Sequence, residues 1–340
     1  MAKSTLKLLL PPIFISSQIA LASAVPWQCA PGAYSLHNFY RNVTHGTPDP
    51  EKANIGEGSS GRVFVDLSAS PRAIKHFIPE SSERELALQE HSIYHEYWLG
   101  HAMDHPNIAR SHELWHEDDE WYMSMELIPF SLLDLLDYDA YNEGPWSFLS
   151  MSCLFWQMLN AVAHVHSLGV AHRDLKVENF MVSHDGTVKL IDFGSASAFR
   201  DPVTGHHVHH MENRVGTLIT MPPEAESEEF IDLEAADVWA LGVMFVRLWL
   251  GVYPWQEATL EDAAFAEYVR ELNEETGACD SSREDDDVSG DTLICSLPDN
   301  VRPVVGGMLA LDPEKRVAID TIFTSAWMQS VREEVGDFGR

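Results

Sequence analysis

Cysteine and basic residues are scarce in this sequence, and both shortages narrow the function classes open to it. Its 340 residues include 4 Cys, and 22 Lys and Arg stand against 53 Asp and Glu, a formal net charge of −31. Four cysteines in a chain of this length do not make a disulfide framework, and without a Cys-x-x-Cys motif a zinc site of that type is unsupported. Such an acidic chain is a poor binder of nucleic-acid phosphates and anionic membranes. A solvated surface and a cationic partner both remain open.

The apolar content, by contrast, is ordinary for a globular protein. Hydrophobic residues make up 45% of the chain, with 10 Trp, 15 Phe and 9 Tyr. This composition excludes a wholly disordered or fibrous chain. The length corresponds to about two domains, enough to bury a sizeable core, and no internal repeat is visible.

Residues 1–24 differ from the rest of the chain. Lys3 and Lys7 precede an apolar stretch over residues 8–21, and the small-residue triplet Ala-Ser-Ala follows. A basic start, a short apolar middle and small residues at the end are typical of a secretory signal peptide, so the mature chain is predicted to begin at Val25. The stretch is too short, and too interrupted by proline, for a membrane span of about 20 residues. Organelle targeting, or a cytoplasmic chain with a packing N-terminal helix, remains the alternative.

The remaining sequence divides by pattern into a β-rich part and a helical part. Short β-branched or aromatic runs predict strands at 62–67, 73–77, 109–115 and 121–127. Helices are predicted at 81–103, at 154–168, where apolar residues recur at spacings of three and four, and at 237–250, which is apolar almost all round and typical of a buried helix. The expected organisation is an extension (25–49), a small lobe (50–128), a larger lobe (129–332) with an acidic insert (271–291), and a tail (333–340).

The cysteines carry two separate expectations. Cys153 lies in an apolar helical stretch and is predicted to be a small buried hydrophobe. Cys279 and Cys295 bracket the acidic insert and could form a disulfide in an oxidising lumen.

A glycine-rich loop opens the small lobe. Gly56, Gly58 and Gly61 form a G-x-G-x-x-G pattern with Val63 two residues later. Dinucleotide-binding folds use a similar spacing, but their loop begins a helix, whereas this one leads into a strand. Glycines there let backbone N–H groups approach a triphosphate. Twelve residues after Val63, Lys75 ends the short apolar run Ala-Ile-Lys.

A second group of motifs lies in the larger lobe. The run His-Arg-Asp-Leu-Lys-Val-Glu-Asn spans residues 172–179, and Asp-Phe-Gly follows a strand-like run at 192–194. Carboxylate and amide oxygens from Asp174, Asn179 and Asp192 can converge on a hard cation, and Mg²⁺ prefers such ligands together with substrate phosphates.

These motifs, in this order, resemble those of the eukaryotic protein kinases of the Ser/Thr type over about residues 50–332, with a weaker similarity to the calcium/calmodulin-dependent group. The resemblance implies a bilobal α+β fold with a β-rich N-lobe and a helical C-lobe. It also implies transfer of the γ-phosphoryl group of ATP, with Mg²⁺, to a Ser/Thr hydroxyl of a protein substrate. A catalytically weak pseudokinase or nucleotide-binding scaffold is the alternative, and a kinase acting on a sugar or small molecule is a third.

The resemblance assigns catalytic roles to individual positions. It makes Asp174 the residue that orients and deprotonates the acceptor hydroxyl, and Lys176 the residue that neutralises the γ-phosphate. It makes Asn179 and Asp192 the magnesium ligands. Further structural and activation positions are His172, Arg173, Phe193, Gly194, Thr217, Glu224, Asp237 and Arg316, with a salt bridge expected between Glu224 and Arg316.

The resemblance also implies an ATP site. Lys75 would contact the α- and β-phosphates and pair with a helix glutamate, for which Glu96 is favoured over Glu90. Met125 would lie behind the adenine. The implied ATP-binding positions are Ile55, Gly56, Glu57, Gly58, Ser59, Ser60, Gly61, Arg62, Val63, Ala73, Lys75, Glu96, Glu126 and Ile128.

Substrate choice is expected to depend on charge. Glu178 stands where a glutamate often receives an arginine upstream of the acceptor residue, and a guanidinium could bind it bidentately. Arg247, ten residues past Asp237, stands where strongly basophilic kinases tend to place a second acid. A moderate preference for Arg or Lys before the acceptor is therefore expected.

Two further features depart from the usual pattern. Gly100, four residues past Glu96, replaces a leucine and is expected to loosen its helix. Four histidines cluster at 206–210 and could form a solvated loop, a metal site or a pH sensor. The run 208–215 contains no Ser or Thr, which makes activation by phosphorylation there doubtful, and Glu212 could act as a fixed anion instead.

Overall fold

The computed structural model describes residues 54–58, 61–66, 71–142, 146–201, 204, 206, 208, 214–226, 231–273 and 293–335. The predicted signal peptide, extension and tail, most of the acidic insert, and most of the histidine cluster lie outside these residues. Of that cluster, His206 is described, and it is exposed.

A five-stranded antiparallel sheet forms the small lobe. Its strands are β1 (Asn54–Gly58), β2 (Gly61–Asp66), β3 (Arg72–Phe77), β4 (Ser111–Glu117) and β5 (Glu120–Glu126), in the spatial order β1-β2-β3-β5-β4. The predicted strands agree with β2 to β5 within two residues, because each carries β-branched or aromatic residues between turn-forming ones.

Helix α1 (Glu83–Ala102) packs on this sheet. It begins at Ser82, whose hydroxyl accepts a hydrogen bond from the backbone N–H of Glu85, which satisfies one of the free donors of the first turn. Ile93 of the helix lies in a small apolar cluster with Phe77 and Met123 of the sheet. This packing fixes the distance between α1 and β3.

Gly100 lies where helix α1 passes close to strand β4. The helix continues through Gly100 to Ala102, and a Cβ added at Gly100 would collide with the Ser111 hydroxyl of β4. Next to it, a ring nitrogen of His101 lies 2.9 Å from the Ser111 carbonyl oxygen. The missing side chain permits this close helix–strand contact, and the expectation that glycine loosens the helix stays a prediction.

The larger lobe is mainly helical. Its helices are α2 (Leu132–Asn142), α3 (Phe148–Ser167), α4 (Leu233–Leu250), α5 (Ala263–Asn273), α6 (Arg302–Met308), α7 (Ile319–Phe323) and α8 (Ala326–Val335). The short strands β6 (Phe130–Ser131), β8 (Phe180–Val182) and β9 (Val188–Leu190) form one small sheet, and β7 (Val170–Ala171) pairs with β10 (Ser197–Ala198). The bilobal α+β architecture predicted from the sequence is confirmed.

Helices α3 and α4 form the centre of the larger lobe. Phe155 of α3 stacks on Trp327 of α8 with ring centroids 5.6 Å apart, and Phe245 of α4 meets the same indole edge-on at 4.6 Å. Among the described helices, α3 is long and apolar enough to cross a membrane, but two thirds of its most apolar window is buried inside the lobe. We therefore interpret α3 as a core helix.

The cysteines differ from expectation in one respect. Cys153 is fully buried in α3, as predicted, but it is disulfide-bonded and not a free thiol. Cys295 is disulfide-bonded too, while its expected pairing with Cys279 stays a prediction because Cys279 lies outside the described residues. The sequence pattern around Cys153 indicated burial only, because an apolar helix gives no sign of a bonding partner.

We expect the fold to lose stability in mild acid through His105. Burial, together with the neighbouring His164 and Lys189, lowers the pKa of His105 from 6.5 to about 4, and its ring stacks on that of His164 with centroids 4.7 Å apart. Between these pH values the unfolded chain binds a proton that the folded chain does not, so stability falls as the pH drops through this window. With a discount for partial exposure, we expect a loss of about 1–2 kcal/mol.

Urea denaturation at pH 7 and pH 5 measures this loss. His105→Gln should weaken the dependence, whereas the same change at the exposed His206 should leave it unaltered. An equal pH dependence in wild type and His105→Gln would contradict the prediction.

Candidate active site

A buried ion pair joins the sheet to helix α1. The Nζ of Lys75 on β3 lies 2.6 Å from Oε1 of Glu96 and 3.3 Å from Oδ1 of Asp192. Burial lowers the pKa of Lys75, but the two carboxylates outweigh it and raise the pKa above its ordinary value. Glu90, the alternative partner, is exposed. The lysine is therefore a fixed cation facing the cleft between the lobes.

Asp174 lies in the loop that follows β7, and three side-chain donors hold its carboxylate. The Thr217 hydroxyl donates to Oδ1 at 2.6 Å, and the Lys176 ammonium donates to Oδ2 at 2.8 Å. The Asn179 amide donates to the same Oδ2 at 3.2 Å and to the Asp174 carbonyl at 2.8 Å. Lys176 also donates to the Thr217 hydroxyl at 2.9 Å. These contacts fix the orientation of one carboxylate in a polar, partly exposed setting.

Asp192 follows β9 in an unusual backbone conformation. Its φ of 62° is in the left-handed region, which few residues other than glycine adopt readily. Burial raises the pKa of Asp192, but Lys75 and His172 outweigh it and lower the pKa below its ordinary value. A Cβ added at Gly194 would lie 3.2 Å from the Asp192 carboxylate and 3.3 Å from that of Glu96, a crowded position that favours glycine. The carboxylate is therefore ionised and aimed at the cleft.

The predicted metal ligands fit a hard cation in their chemistry. Because the Asn179 nitrogen is directed at Asp174, its amide oxygen is left for another partner, and 41% of the Asp192 side chain is exposed. Among the described residues, no group of three or more His, Cys, Asp or Glu side chains could hold a metal ion by itself. A site with two protein oxygens is of the kind that binds Mg²⁺ together with phosphate oxygens.

Asp237 of α4 anchors residues 172–179, the catalytic loop, to the core of the larger lobe. Its buried carboxylate accepts the backbone N–H groups of His172 at 2.7 Å and Arg173 at 2.9 Å, and it lies 2.8 Å from Nε2 of His166. Burial raises the pKa of Asp237, but these partners lower it below its ordinary value. The φ of Arg173 is 67°, so the carboxylate compensates for a strained backbone just before Asp174. His166 was missed by the sequence analysis.

A bidentate salt bridge closes the far end of the activation segment. Arg316 donates to the two carboxylate oxygens of Glu224 at 2.5 and 2.6 Å, and its guanidinium lies 5.0 Å from the ring centroid of Trp239. The pairing predicted for these two residues is thus present. A further bridge was missed: Arg214 contacts Glu226 and lies 2.9 Å from Glu257. Exposed ion pairs leave no periodic signal in a sequence.

Most of the predicted nucleotide positions lie on β1, β2 and β3 of the small lobe. Ala73 is buried and pairs with Met125 across β3 and β5. At Gly61 a Cβ would collide with the His76 carbonyl, which explains the glycine there. Ser59 and Ser60 lie outside the described residues, and of residues 54–58 only the backbone is described.

The remaining predicted positions lie around the same cleft. Phe193 is buried and meets the His172 ring edge-on at 5.3 Å between centroids, Gly194 follows it, and Ile128 is buried just past β5. The Glu126 side chain is 3.1 Å from Lys189. Arg62 and Glu178 are exposed, and Glu178 lies within the catalytic loop, one residue before Asn179.

Comparison with known proteins gives one consistent result. A family model described as the protein kinase domain matches residues 50–328. The chain is 30% identical over 291 residues to "Probable serine/threonine-protein kinase RTK1" of Saccharomyces cerevisiae, covering 82% of this chain and 44% of that protein. It is 30% identical over 282 residues to "Serine/threonine-protein kinase ppk8" of Schizosaccharomyces pombe, covering 82% and 52%.

A third relative is "Serine/threonine-protein kinase oca2" of Schizosaccharomyces pombe, 28% identical over 320 residues, with coverage of 82% and 48%. The chain thus spans about half the length of the curated relatives it matches. The similarity covers both lobes, and with them every residue of the cleft described above.

Proposed function

The chain belongs to the protein kinase family and is a Ser/Thr kinase by its relatives, and we propose that it transfers the γ-phosphoryl group of ATP to Ser or Thr hydroxyls of protein substrates. The observation that carries this proposal is the Asp174 carboxylate, which Thr217, Lys176 and Asn179 hold in one orientation. A carboxylate so fixed can accept the proton of an acceptor hydroxyl and align its oxygen for in-line attack.

The other cleft residues position the nucleotide. Lys75, kept protonated by Glu96 and Asp192, supplies a fixed positive charge for the α- and β-phosphates, and Lys176 supplies one for the γ-phosphate. Asn179 and Asp192 would hold Mg²⁺, which when bound neutralises charge on the phosphate oxygens. Catalysis on this scheme is positioning and electrostatic stabilisation rather than covalent chemistry.

Asp174→Asn distinguishes the kinase from a nucleotide-binding scaffold. The amide keeps the size of the side chain and loses its capacity as a base, so we expect peptide phosphorylation to fall by about 100-fold or more while ATP affinity stays near wild type. Radiolabel transfer from ATP to a Ser/Thr peptide library measures the first, and equilibrium nucleotide binding the second. Asp320→Asn, an exposed change on α7, is the matched control. Equal transfer by Asp174→Asn and wild type would contradict the proposed role.

Protein substrates with a basic residue upstream of the acceptor are part of the proposal. Its support is the exposed carboxylate of Glu178, four residues past Asp174, and the strongly acidic chain, which attracts cationic peptides over a distance of about 10 Å at moderate salt.

We further propose that this kinase enters the secretory pathway. The support is the signal-like pattern of residues 1–24 and the disulfide-bonded state of Cys153 and Cys295, because disulfides persist mainly in oxidising compartments. Expression in a secreting eukaryotic host should release a chain that begins at Val25, and in the denatured protein Cys153 should resist alkylation unless it is first reduced. A chain that retains Lys3, or that carries a free thiol at Cys153, would contradict this location.

A further inference from the structure

A buried arginine lies among carboxylates beside the catalytic loop. Arg247 of α4 is 7% exposed, and its Nη2 donates to Oδ1 of Asp137 on α2 at 2.7 Å. Asp134 lies on the same helix. Burial, and then the negative charge of Asp137, raises the pKa of Asp134. Helix α2 packs against the turn that carries Glu178. Among the described residues, this corner combines three acids with one internal cation.

Tyr253 connects the arginine to Glu178. Its hydroxyl donates to Oε2 of Glu178 at 3.2 Å, and its ring centroid lies 5.7 Å from the guanidinium carbon of Arg247. Burial, and then the Glu178 charge, raises the pKa of Tyr253, so the hydroxyl stays protonated and acts as the donor. Arg247, Tyr253 and Glu178 therefore form one continuous chain of contacts.

This chain affects how a substrate cation can bind. An incoming guanidinium can replace the Tyr253 hydroxyl on Glu178, because that carboxylate is exposed and Tyr253 holds it by one hydrogen bond. It cannot use Asp137 in the same way, because Arg247 already donates to that carboxylate from a fixed, buried position. The positive charge of Arg247 also repels a second cation that approaches Asp137.

We propose, resting on the function proposed above, that Arg247 is a specificity-determining residue that occupies a second basic-residue subsite with the protein's own guanidinium. The kinase then recognises one basic side chain upstream of the acceptor, at Glu178, and excludes a second. Its preferred substrate class is a peptide with a single Arg or Lys near the acceptor rather than a run of them.

Three peptides that carry no, one or two arginines upstream of one serine test this proposal. In wild type, kcat/KM should rise with the first arginine and change less than twofold with the second. In Arg247→Met the second arginine should add about fivefold to tenfold, because the acids lose their internal cation. Arg247→Lys keeps the charge and should behave as wild type. Arg270→Met, which removes one positive charge on α5, is the control for net charge.

Two milder variants keep the test decisive if Arg247→Met folds poorly. Tyr253→Phe removes only the hydroxyl, so it should increase the gain from the first arginine about threefold. Asp137→Asn leaves Arg247 without its carboxylate and should reduce that gain. Unchanged arginine gains in a folded Arg247→Met, or in both milder variants, would overturn the proposal.

Binding separates this proposal from the proposed function. Fluorescence anisotropy with the same three labelled peptides reports the arginine dependence without turnover. Suppose that the affinity gained per added arginine differs between wild type and Arg247→Met, but wild type transfers no phosphoryl group. That result would support the subsite and contradict the kinase activity. Phosphoryl transfer by wild type, with the same affinity gain per arginine in wild type and Arg247→Met, would support the kinase activity and contradict the subsite.

Discussion

Lys75→Met is expected to reduce kcat/KM for peptide phosphorylation by about 100-fold or more while the protein remains folded. Lys75 is the cation that meets both Glu96 and Asp192 in the cleft, at 2.6 and 3.3 Å. Methionine fills a similar volume but has no charge, so developing negative charge on the phosphates loses a preorganised partner, a loss of that order in comparable sites. Initial rates with a peptide substrate, together with a thermal unfolding curve, measure the two parts of the prediction.

A double variant separates lost catalysis from lost stability. Burial already raises the pKa of Glu96, and Lys75 opposes that effect. In Lys75→Met the buried carboxylate has lost that cation, which lowers stability. Lys75→Met/Glu96→Gln removes the stranded charge, so it should recover thermal stability without recovering activity. A near wild-type rate in Lys75→Met, or recovery of the rate in the double variant, would show that Lys75 does not act on the phosphates.

Arg316→Met should lower the free energy of unfolding by about 3–5 kcal/mol, the usual consequence of removing one partner of a buried ion pair. Both side chains of the Arg316–Glu224 pair are at most 3% exposed, and the arginine also donates to the Ala310 carbonyl at 2.9 Å and contacts the Trp239 ring. The variant would leave the Glu224 carboxylate buried without its counter-charge. Urea denaturation of wild type and variant at pH 7 measures the difference.

The neighbouring Lys315 provides a matched comparison. It pairs with Asp312 at 3.0 Å, but its side chain is 77% exposed, so Lys315→Met should cost less than about 1 kcal/mol. Arg316→Met/Glu224→Gln should recover part of the loss because no unpaired charge remains. Equal destabilisation by the Arg316 and Lys315 variants would mean that burial does not govern the strength of this pair.

The sequence predicted the elements that carry a periodic signal. The bounds of β2 to β5 follow from β-branched and aromatic runs between turn residues, and the motif order placed Lys75, Asp174 and Asp192 on one cleft. The family resemblance favours Glu96 as the partner of Lys75 because Glu96 precedes the run His-Pro-Asn-Ile, residues 105–108, by nine positions. The chemistry of such a motif requires given residue types at given spacings. The residues can therefore be identified from the sequence alone.

Contacts between distant segments could not be predicted in this way. The bonds from His166 to Asp237 and from Tyr253 to Glu178 join residues more than 70 positions apart, and nothing in either local sequence marks them. The contact at Gly100 is of the same kind. Propensity alone predicts a looser helix, and nothing in the local sequence marks the close approach of Ser111.

The Asp237 anchor has a consequence for how the backbone of the catalytic loop exchanges its hydrogens with solvent. The amides of His172 and Arg173 end on a carboxylate that belongs to the core helix α4. Loop amides ordinarily exchange through small local openings, but because these two are bonded to a buried carboxylate of the core, we expect them to open together with the packing of α4. They should therefore show the protection of the core, and the loop that carries Asp174 behaves, on the timescale of hydrogen exchange, as part of the same cooperative unit as the helix beneath it.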